Sequence, residues 1–314
     1  MKNIRILFLA PNWRVSLTRV FRKSAREKVT LVGADSDPHS AALKVMDQSY
    51  VIPQFSEQGC IEKIHSICEK ENIHTVLPMT NKAIAFMDKN RDWFDKDNLS
   101  LYLSDSVVIK TCIDKRKLAD FFQKNEIPSP KLVNPNETYL EFPLLAKEPC
   151  GEGGGNCFKL ENQADFDFYS KKLPHHIFQR FIQGREFSID WFSDKKSVPV
   201  VTVPRERLAT RAGEVMVSRI ELIPEIIESA KKLGTRLQLR GPANFQGILE
   251  DSGKFLFTDV NLRFGSGVLH TIHAGADIPG MMLQELVGGS IDKKSNSVTN
   301  GSTMSRFHDA LFDS

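Results

Sequence analysis

The stretch "FTDVNLRFGSG", Phe257 to Gly267, places a carboxylate, a carboxamide and a guanidinium at alternate positions: Asp259, Asn261 and Arg263. Alternate side chains of a β-strand share a face, so these three point one way and the apolar Val260, Leu262 and Phe264 the other. Upstream, "ANFQGILE" carries Asn244 and Gln246 in the same alternation, and the turn "DSG" between the two runs reads as a hairpin. In such a pair Gln246 and Asp259 can approach each other. A carboxylate with amide oxygens is a hard donor set; it suits Mg²⁺, which keeps several waters and leans on substrate phosphates for the rest. Arg263 adds a fixed cation for an anionic substrate or a developing oxyanion. A polar, solvated face on an edge strand accounts for the same pattern, and this stretch alone does not separate the two.

Three more stretches carry chemistry. Lys147 ends the apolar run "FPLLAK"; an ammonium there is costly to bury without an anion, which suggests a phosphate partner, with snorkelling to solvent as the plain alternative. Just beyond it, "GEGGGN" contains Gly153, Gly154 and Gly155. Glycines let backbone N–H groups wrap phosphate oxygens. No Gly-Lys-Ser/Thr follows, so this is not a Walker loop, and a hairpin tip between "FPLLAKEP" and "CFKLEN" fits it equally. In "FQRFIQGREFSIDWF" a strand breaks and resumes. Backbone groups from Arg180 to Ile182 can meet an adenine edge while apolar side chains cover its faces, and Glu186 is placed to accept from ribose hydroxyls.

The elements that must position these residues are legible in outline. Over the first hundred residues, strand-like runs ("NIRILFLA", "VTLVGAD", "HTVLPM") alternate with helical ones ("SLTRVFRKSARE", "CIEKIHSICEKENI", "NKAIAFMDKNRDWF"). Such alternation argues for a parallel sheet covered by helices. The turn after the first strand, "APNWRVSL", has no glycine, which tells against a dinucleotide pyrophosphate there; Asp35 reads as a strand-end turn residue. Asp114 is a plausible N-cap for the helix "KRKLADFFQKNE", and "IPEIIESAKKLGTRLQL" is a strongly amphipathic helix. From Gly288 the chain is polar and predicts a loose tail with a short helix at its end.

A chain of 314 residues suggests two or three domains. The 42 basic and 39 acidic side chains leave a net charge of +3, so nothing demands nucleic acid as a partner. No apolar run is long enough to span a membrane, and the opening lacks a secretory cleavage pattern. Five scattered cysteines without metal-like spacing fit a reducing compartment, so a cytoplasmic protein is expected.

The order of these motifs resembles the ATP-grasp superfamily, closest to the carbamoyl phosphate synthetase and biotin carboxylase branch of its carboxylate–amine ligases. The resemblance covers nearly the whole chain and implies an α/β fold. Residues 1–108 would form a Rossmann-like, parallel-sheet pre-ATP-grasp domain. A two-subdomain α+β ATP-grasp fold would follow, its lid subdomain over 109–183 and its metal and substrate subdomain over 184–290, with a polar tail over 291–314. By resemblance, Lys115 is a phosphate-binding cation and Lys147 contacts ATP phosphate and adenine. Gly153 to Gly155 lie in the mobile lid. Gln179, Arg180, Phe181 and Ile182 match the adenine hinge, and Glu186 the ribose acceptor. Gln246, Asp259 and Asn261 match the metal ligands, and Arg263 the arginine that binds substrate or stabilises the transition state.

The pattern departs from the family in places. Gln246 stands where many members have Glu or Asp, although the carbamoyl phosphate synthetase branch has a parallel. Asp259 stands for the usual Glu, one methylene shorter. The hinge reads "QRFI", and Leu262 replaces a proline. Two neutral ligands leave one formal negative charge for the metals. The implied activity is an ATP- and Mg²⁺-dependent ligase (Mn²⁺ being an alternative ion) that activates a small carboxylate as an acyl phosphate for attack by an amine. Alternatives are phosphorylation of bicarbonate or carbamate, and a nucleotide-binding module without turnover. The acceptor pocket is expected from "VPRERLATRAGEVMVSR" and the N-terminal domain, whose arginines suggest an anionic substrate; a homodimer is compatible with all of this.

Overall fold

The computed structural model describes residues 3–25, 29–96, 99–135, 139–151, 156–291, 297–307 and 309–312. Strand β1 (Ile4–Leu9) is buried at every position except Arg5, as expected of a strand covered on both faces. It lies between β2 (Val29–Asp35) and β4 (Thr75–Pro78), and β3 (Gln48–Val51) adds to β2. The order is β3-β2-β1-β4 and every pairing is parallel. Helices α1 (Val15–Ser24), α2 (Cys60–Lys70) and α3 (Asn81–Lys89) connect and cover this sheet, followed by α4 (Arg91–Lys96) and α5 (Ser106–Ile113). Helix α2 buries Cys60, Ile64, Ile67 and Cys68, while Ile61, which helical spacing sets beside Ile64, Ile67 and Cys68, is only partly covered. Asp35 accepts from the backbone N–H of Asn12 (2.9 Å) and Asp37 (3.2 Å), a turn-forming role as read.

Helix α6 (Lys115–Lys124) is capped by Asp114, whose carboxylate accepts from the Arg116 N–H at 2.9 Å. A small antiparallel sheet follows, built from β5 (Leu144–Lys147), β6 (Phe158–Leu160) and, after α7 (Gln163–Lys172), β7 (Ile177–Arg180). Strands β5 and β6 form the predicted hairpin. Its glycines Gly153, Gly154 and Gly155 lie outside the described residues.

The largest sheet is antiparallel, in the order β12-β11-β8-β9-β10-β13. It contains β8 (Arg185–Ser193), β9 (Pro199–Arg211), β10 (Glu214–Ile220), β11 (Gly241–Leu249), β12 (Phe255–Asn261) and β13 (Thr303–Ser305). One face packs on α8 (Pro224–Arg236), α5 and α6. Trp191, Phe187, Phe245 and Phe257 there meet Ile226, Ala230 and Leu233. The Trp191 indole occupies the space a side chain at Gly234 would need, 2.5 Å from the position of a Cβ. The opposite face carries α9 (Val268–His273) and α10 (Ile278–Leu286). Its apolar part, Phe192, Val201, Val203 and Ile220, shares one core with Ile4, Ile6, Phe8 and Phe21 of the N-terminal domain.

Two expectations are corrected. Thr303–Ser305 is a strand paired with β10, where a loose tail ending in a short helix is predicted. And β12 stops at Asn261, so strand alternation does not extend to Arg263. The ladder also slips between Gln246 and Gly247: Asp259 pairs with Gln246 but Phe257 with Gly247. Thr258 is therefore the extra residue of a β-bulge.

Candidate functional site

The large sheet's α9 face is polar at the β12 edge. Gln246 pairs with Asp259 on one side and Ser188 on the other, and Asn244 pairs with Asn261 and Asp190. Alternation puts Glu186, Ser188 and Asp190, and likewise Arg205 and Arg207, on this face. The odd-numbered apolar partners Phe187, Ile189 and Trp191 supply the core behind it. Gln246 and Asp259 thus lie side by side as expected, but through the bulge: the register of the "DSG" turn alone would pair Gln246 with Thr258. Asp259 Oδ2 accepts from Asn261 Nδ2 at 3.1 Å, and its Oδ1 from the Val260 N–H at 3.0 Å. Asn261 Oδ1 in turn accepts from Asn81 Nδ2 at 3.2 Å.

The small sheet faces this platform through Lys147, at the end of β5. Its side chain is buried (8% exposed) and Nζ donates to the Thr258 carbonyl at 3.4 Å, the residue displaced by the bulge. Burial pushes the Lys147 ammonium down to about 8; Asp259 opposes that shift, and Lys115 adds to it. Lys115 opens α6, and its Nζ donates to the Gly151 carbonyl at 3.0 Å while its N–H donates to Pro149 at 2.8 Å. Two ammonium groups therefore stand at the base of the glycine hairpin, with Asp259 and Glu148 as carboxylates nearby.

Other expected site residues are placed less simply. Gln179 is buried inside β7, between Leu145 and a bridge to Leu132. The Arg180 and Phe181 amides already donate to Lys131 (3.1 Å) and Pro143 (3.1 Å). An adenine edge at this hinge must therefore be met by other backbone groups, with the buried Ile182 beside them. Lys159 Nζ sits 4.6 Å from the Phe181 ring centroid. Glu186 is exposed and lies 3.5 Å from Arg207. Arg263 is half-buried beyond the strand end and donates from Nη1 to the Phe264 carbonyl at 3.1 Å.

A buried polar network lies further along the same face; of its members the sequence reading names Asn244, and Arg205 falls within its "VPRERLATRAGEVMVSR" stretch. Arg205 is fully buried; its Nε donates to Asp190 Oδ2 at 2.7 Å, and Asp190 also accepts from Asn244 Nδ2 (3.0 Å) and Thr271 Oγ1 (2.6 Å). Both Arg205 Nη atoms lack a hydrogen-bond partner among the described residues. A Cβ at Gly267 would lie 2.3 Å from Nη1, so a side chain there would have to displace the guanidinium. His270, bonded to Ser218 (2.9 Å), is pushed down to about 4 by burial and by the Arg205 charge and stays neutral. The available sequence signals were a lone carboxylate in "FSIDWF" and an asparagine, Asn81, just past the end of a parallel strand, where α/β sites gather.

Profile comparison finds two families in succession. A PylC-like N-terminal domain matches residues 6–102, and an ATP-grasp domain matches residues 112–267. The chain belongs to the ATP-grasp superfamily. Carbamoyl-phosphate synthase of Methanobrevibacter smithii is 19% identical over 196 residues, which cover 60% of this chain. The chain spans about half the length of that curated relative (51% is covered). Among solved structures, biotin carboxylase of Campylobacter jejuni, in complex with β-γ-ATP, superposes with a TM-score of 0.75 at 16% identity. It covers 96% of this chain and 75% of that one. The L-amino acid ligase of Bacillus licheniformis gives 0.72 at 16% identity, covering 96% and 76%. The ATP-grasp fold places the large sheet's polar edge opposite the small sheet that holds Lys147. The described residues contain no helix long and apolar enough to cross a membrane.

The donor set fits a hard divalent cation held jointly with phosphates. Among the described residues no cluster of three or more His, Cys, Asp or Glu could hold a metal ion alone. The platform offers one carboxylate and the oxygens of Gln246 and Asn261 in adjoining register, which leaves sites for polyphosphate oxygens and water.

Proposed function

We propose that this ATP-grasp protein is an ADP-forming ligase that activates a small carboxylate as an acyl phosphate and joins it to an amine. The observation that carries this is Lys147 reaching the Thr258 carbonyl beside the Gln246–Asp259–Asn261 platform. Lys147 and Lys115 would bind the nucleotide's phosphates, with backbone groups from Gln179 to Ile182 near its base and Glu186 near its ribose. Gln246, Asp259 and Asn261 would hold Mg²⁺. That ion would neutralise β- and γ-phosphate charge in the transfer. A substrate carboxylate oxygen takes the γ-phosphoryl group as ADP leaves. The amine then attacks the carbonyl carbon, inorganic phosphate departs, and the nitrogen loses a proton. Arg263, with Arg205 and Arg207 of the α9 face, would balance the negative charge on the acyl group. The glycines Gly153 to Gly155 would cover the phosphates.

The test is ADP and phosphate release from ATP and Mg²⁺ across pairs of small carboxylates and amines. Turnover that requires both substrates and yields the amide supports the ligase. The carbamoyl-phosphate synthase relative motivates a second reading, phosphorylation of bicarbonate or carbamate, which bicarbonate-dependent ADP formation without an amine would favour. Tight ATP binding with no ADP in any pair would reduce the chain to a nucleotide-binding module.

Lys147 also predicts a pH dependence. Its ammonium, pushed down to about 8 by burial, is charged below that pH and neutral above it, and phosphate binds the charged form. ADP affinity should hold steady below pH 8 and fall as pH rises through 8 and above. Titration calorimetry at a series of pH values checks this: Lys147→Met should bind more weakly and show a flat profile over the same range. An undiminished wild-type affinity at pH 9.5 would separate Lys147 from the phosphates.

A further inference from the structure

We propose that Asn81, from the N-terminal domain, is a positioning residue for the metal platform, holding the Asn261 carboxamide so that its oxygen stays turned to the cleft. This deepens the nucleotide–metal reading of the cleft and rests on it.

Asn81 is the first residue of α3, directly after β4, and the Thr80 side chain caps that helix by accepting from the Ala83 N–H at 3.1 Å. The cap fixes where the first turn begins, and with it the direction of the Asn81 side chain. From there Nδ2 reaches across 180 positions of sequence to Asn261 Oδ1 at 3.2 Å. The other end of the same carboxamide is held by Asp259, which accepts from Asn261 Nδ2 at 3.1 Å. Both ends of the Asn261 amide are therefore tied, one by each domain.

The two ties are not equivalent. Asp259 has about four lone-pair sites, two of them used by the Val260 N–H and the Asn261 amide, and a cation on the same carboxylate repels the amide hydrogens, so that tie loosens when a metal arrives. A carboxamide oxygen has two lone pairs, so the Asn81 bond leaves one of them open. The Asn81 tie alone survives when Asp259 turns to a metal. It keeps the oxygen, not the NH₂ group, presented to the ion. A platform with a single carboxylate depends on such alignment more than one with several charges, because neutral oxygens bind a cation only when their dipoles point at it. Asn261 is itself buried, 7% exposed, so water has little room to replace the lost donor.

The experiment measures Mn²⁺ binding by electron paramagnetic resonance, with ADP present, and ADP binding alone with metal chelated. Wild type, Asn81→Leu, Asn81→Gln and Asp259→Ala are compared, and thermal unfolding confirms that each is folded; Asn81→Ala replaces Asn81→Leu if the latter does not fold. Asn81→Leu matches the shape of Asn81 without its donor and is expected to weaken Mn²⁺ by about tenfold, within the range for outer partners of metal ligands. Its metal-free ADP affinity should match wild type. Asn81→Gln, which restores a donor on a longer arm, should recover part of the loss. A merely structural role would lower the melting temperature and leave Mn²⁺ affinity unchanged. If Asp259→Ala weakens Mn²⁺ and Asn81→Leu does not, Asn81 has no such role and the platform stands. If Asp259→Ala leaves Mn²⁺ binding untouched, the platform reading fails and the Asn81 proposal falls with it.

Discussion

Asp259→Ala is expected to abolish measurable ADP formation while leaving a folded chain. Asp259 is the only carboxylate among the platform side chains, and it is half-buried rather than locked in the core. Its hydrogen bonds are to the adjacent Val260 N–H and to Asn261, so truncation removes little that holds the sheet together. Chemistry should suffer far more. The substitution removes the one formal negative charge available to a cation. It also removes the anion that holds the Lys147 ammonium in its charged form against burial. Loss of one group aimed at transferring charge costs roughly 10²–10³ in turnover, and two such effects fall together here. Asp259→Asn keeps the shape and should be nearly as damaged, because charge rather than bulk is the missing property. Phosphate release under saturating ATP and Mg²⁺ checks both variants. Turnover within a few-fold of wild type in either would show that the platform does not serve the reaction.

The second large effect concerns stability. Asp190→Ala should destabilise the chain by about 3–5 kcal/mol, the usual cost of breaking a buried ion pair from one side. Asp190 and Arg205 are 1% and 0% exposed, and Arg205 has no other partner among the described residues for its three guanidinium nitrogens. Removing the carboxylate leaves a guanidinium charge buried and alone, and also unpairs Asn244 and Thr271. The double variant Asp190→Leu with Arg205→Met should regain most of the loss, since apolar replacement of both partners is often neutral. Urea unfolding of the two variants measures the difference. A single variant costing less than about 1 kcal/mol would mean that the pair is solvated in solution. If the stable double variant is also inactive, Arg205 serves the substrate as well as the fold.

The parts of this molecule that were readable from sequence are those governed by local periodicity. Buried strands alternating with helices announce the parallel sheet around β1. The "DSG" turn marks the β11–β12 hairpin, although its own register would set Gln246 opposite Thr258 and the bulge is what brings in Asp259; Asp114 marks the start of α6. What was not readable depends on distance or on backbone alone. The bulge at Thr258 has no side-chain signature, yet it delivers the carbonyl that Lys147 meets. Alternation was carried two residues too far, to Arg263, because nothing local announces that β12 ends at Asn261 before the glycines. Strand β13 pairs through its backbone over three residues that show solvent on both sides, so it has no amphipathic pattern to find. Asn81 and Thr271 join their partners across 180 and 81 positions, and the residue types alone do not reveal such meetings.

The shared core of the N-terminal domain and the large sheet has a mechanical consequence. Ile6, Phe8 and Phe21 interlock with Phe192, Val203 and Ile220 in one cluster, so pulling these two parts asunder would expose apolar surface from both. The small sheet instead keeps its own cluster of Leu144, Ala146, Leu160, Phe166 and Phe178. It can swing as a jaw without disturbing its interior. A rotation of β5, β6, β7 and α7 against the N-terminal domain and large sheet would leave both clusters intact, with Lys147 on one side of it and Asp259 on the other.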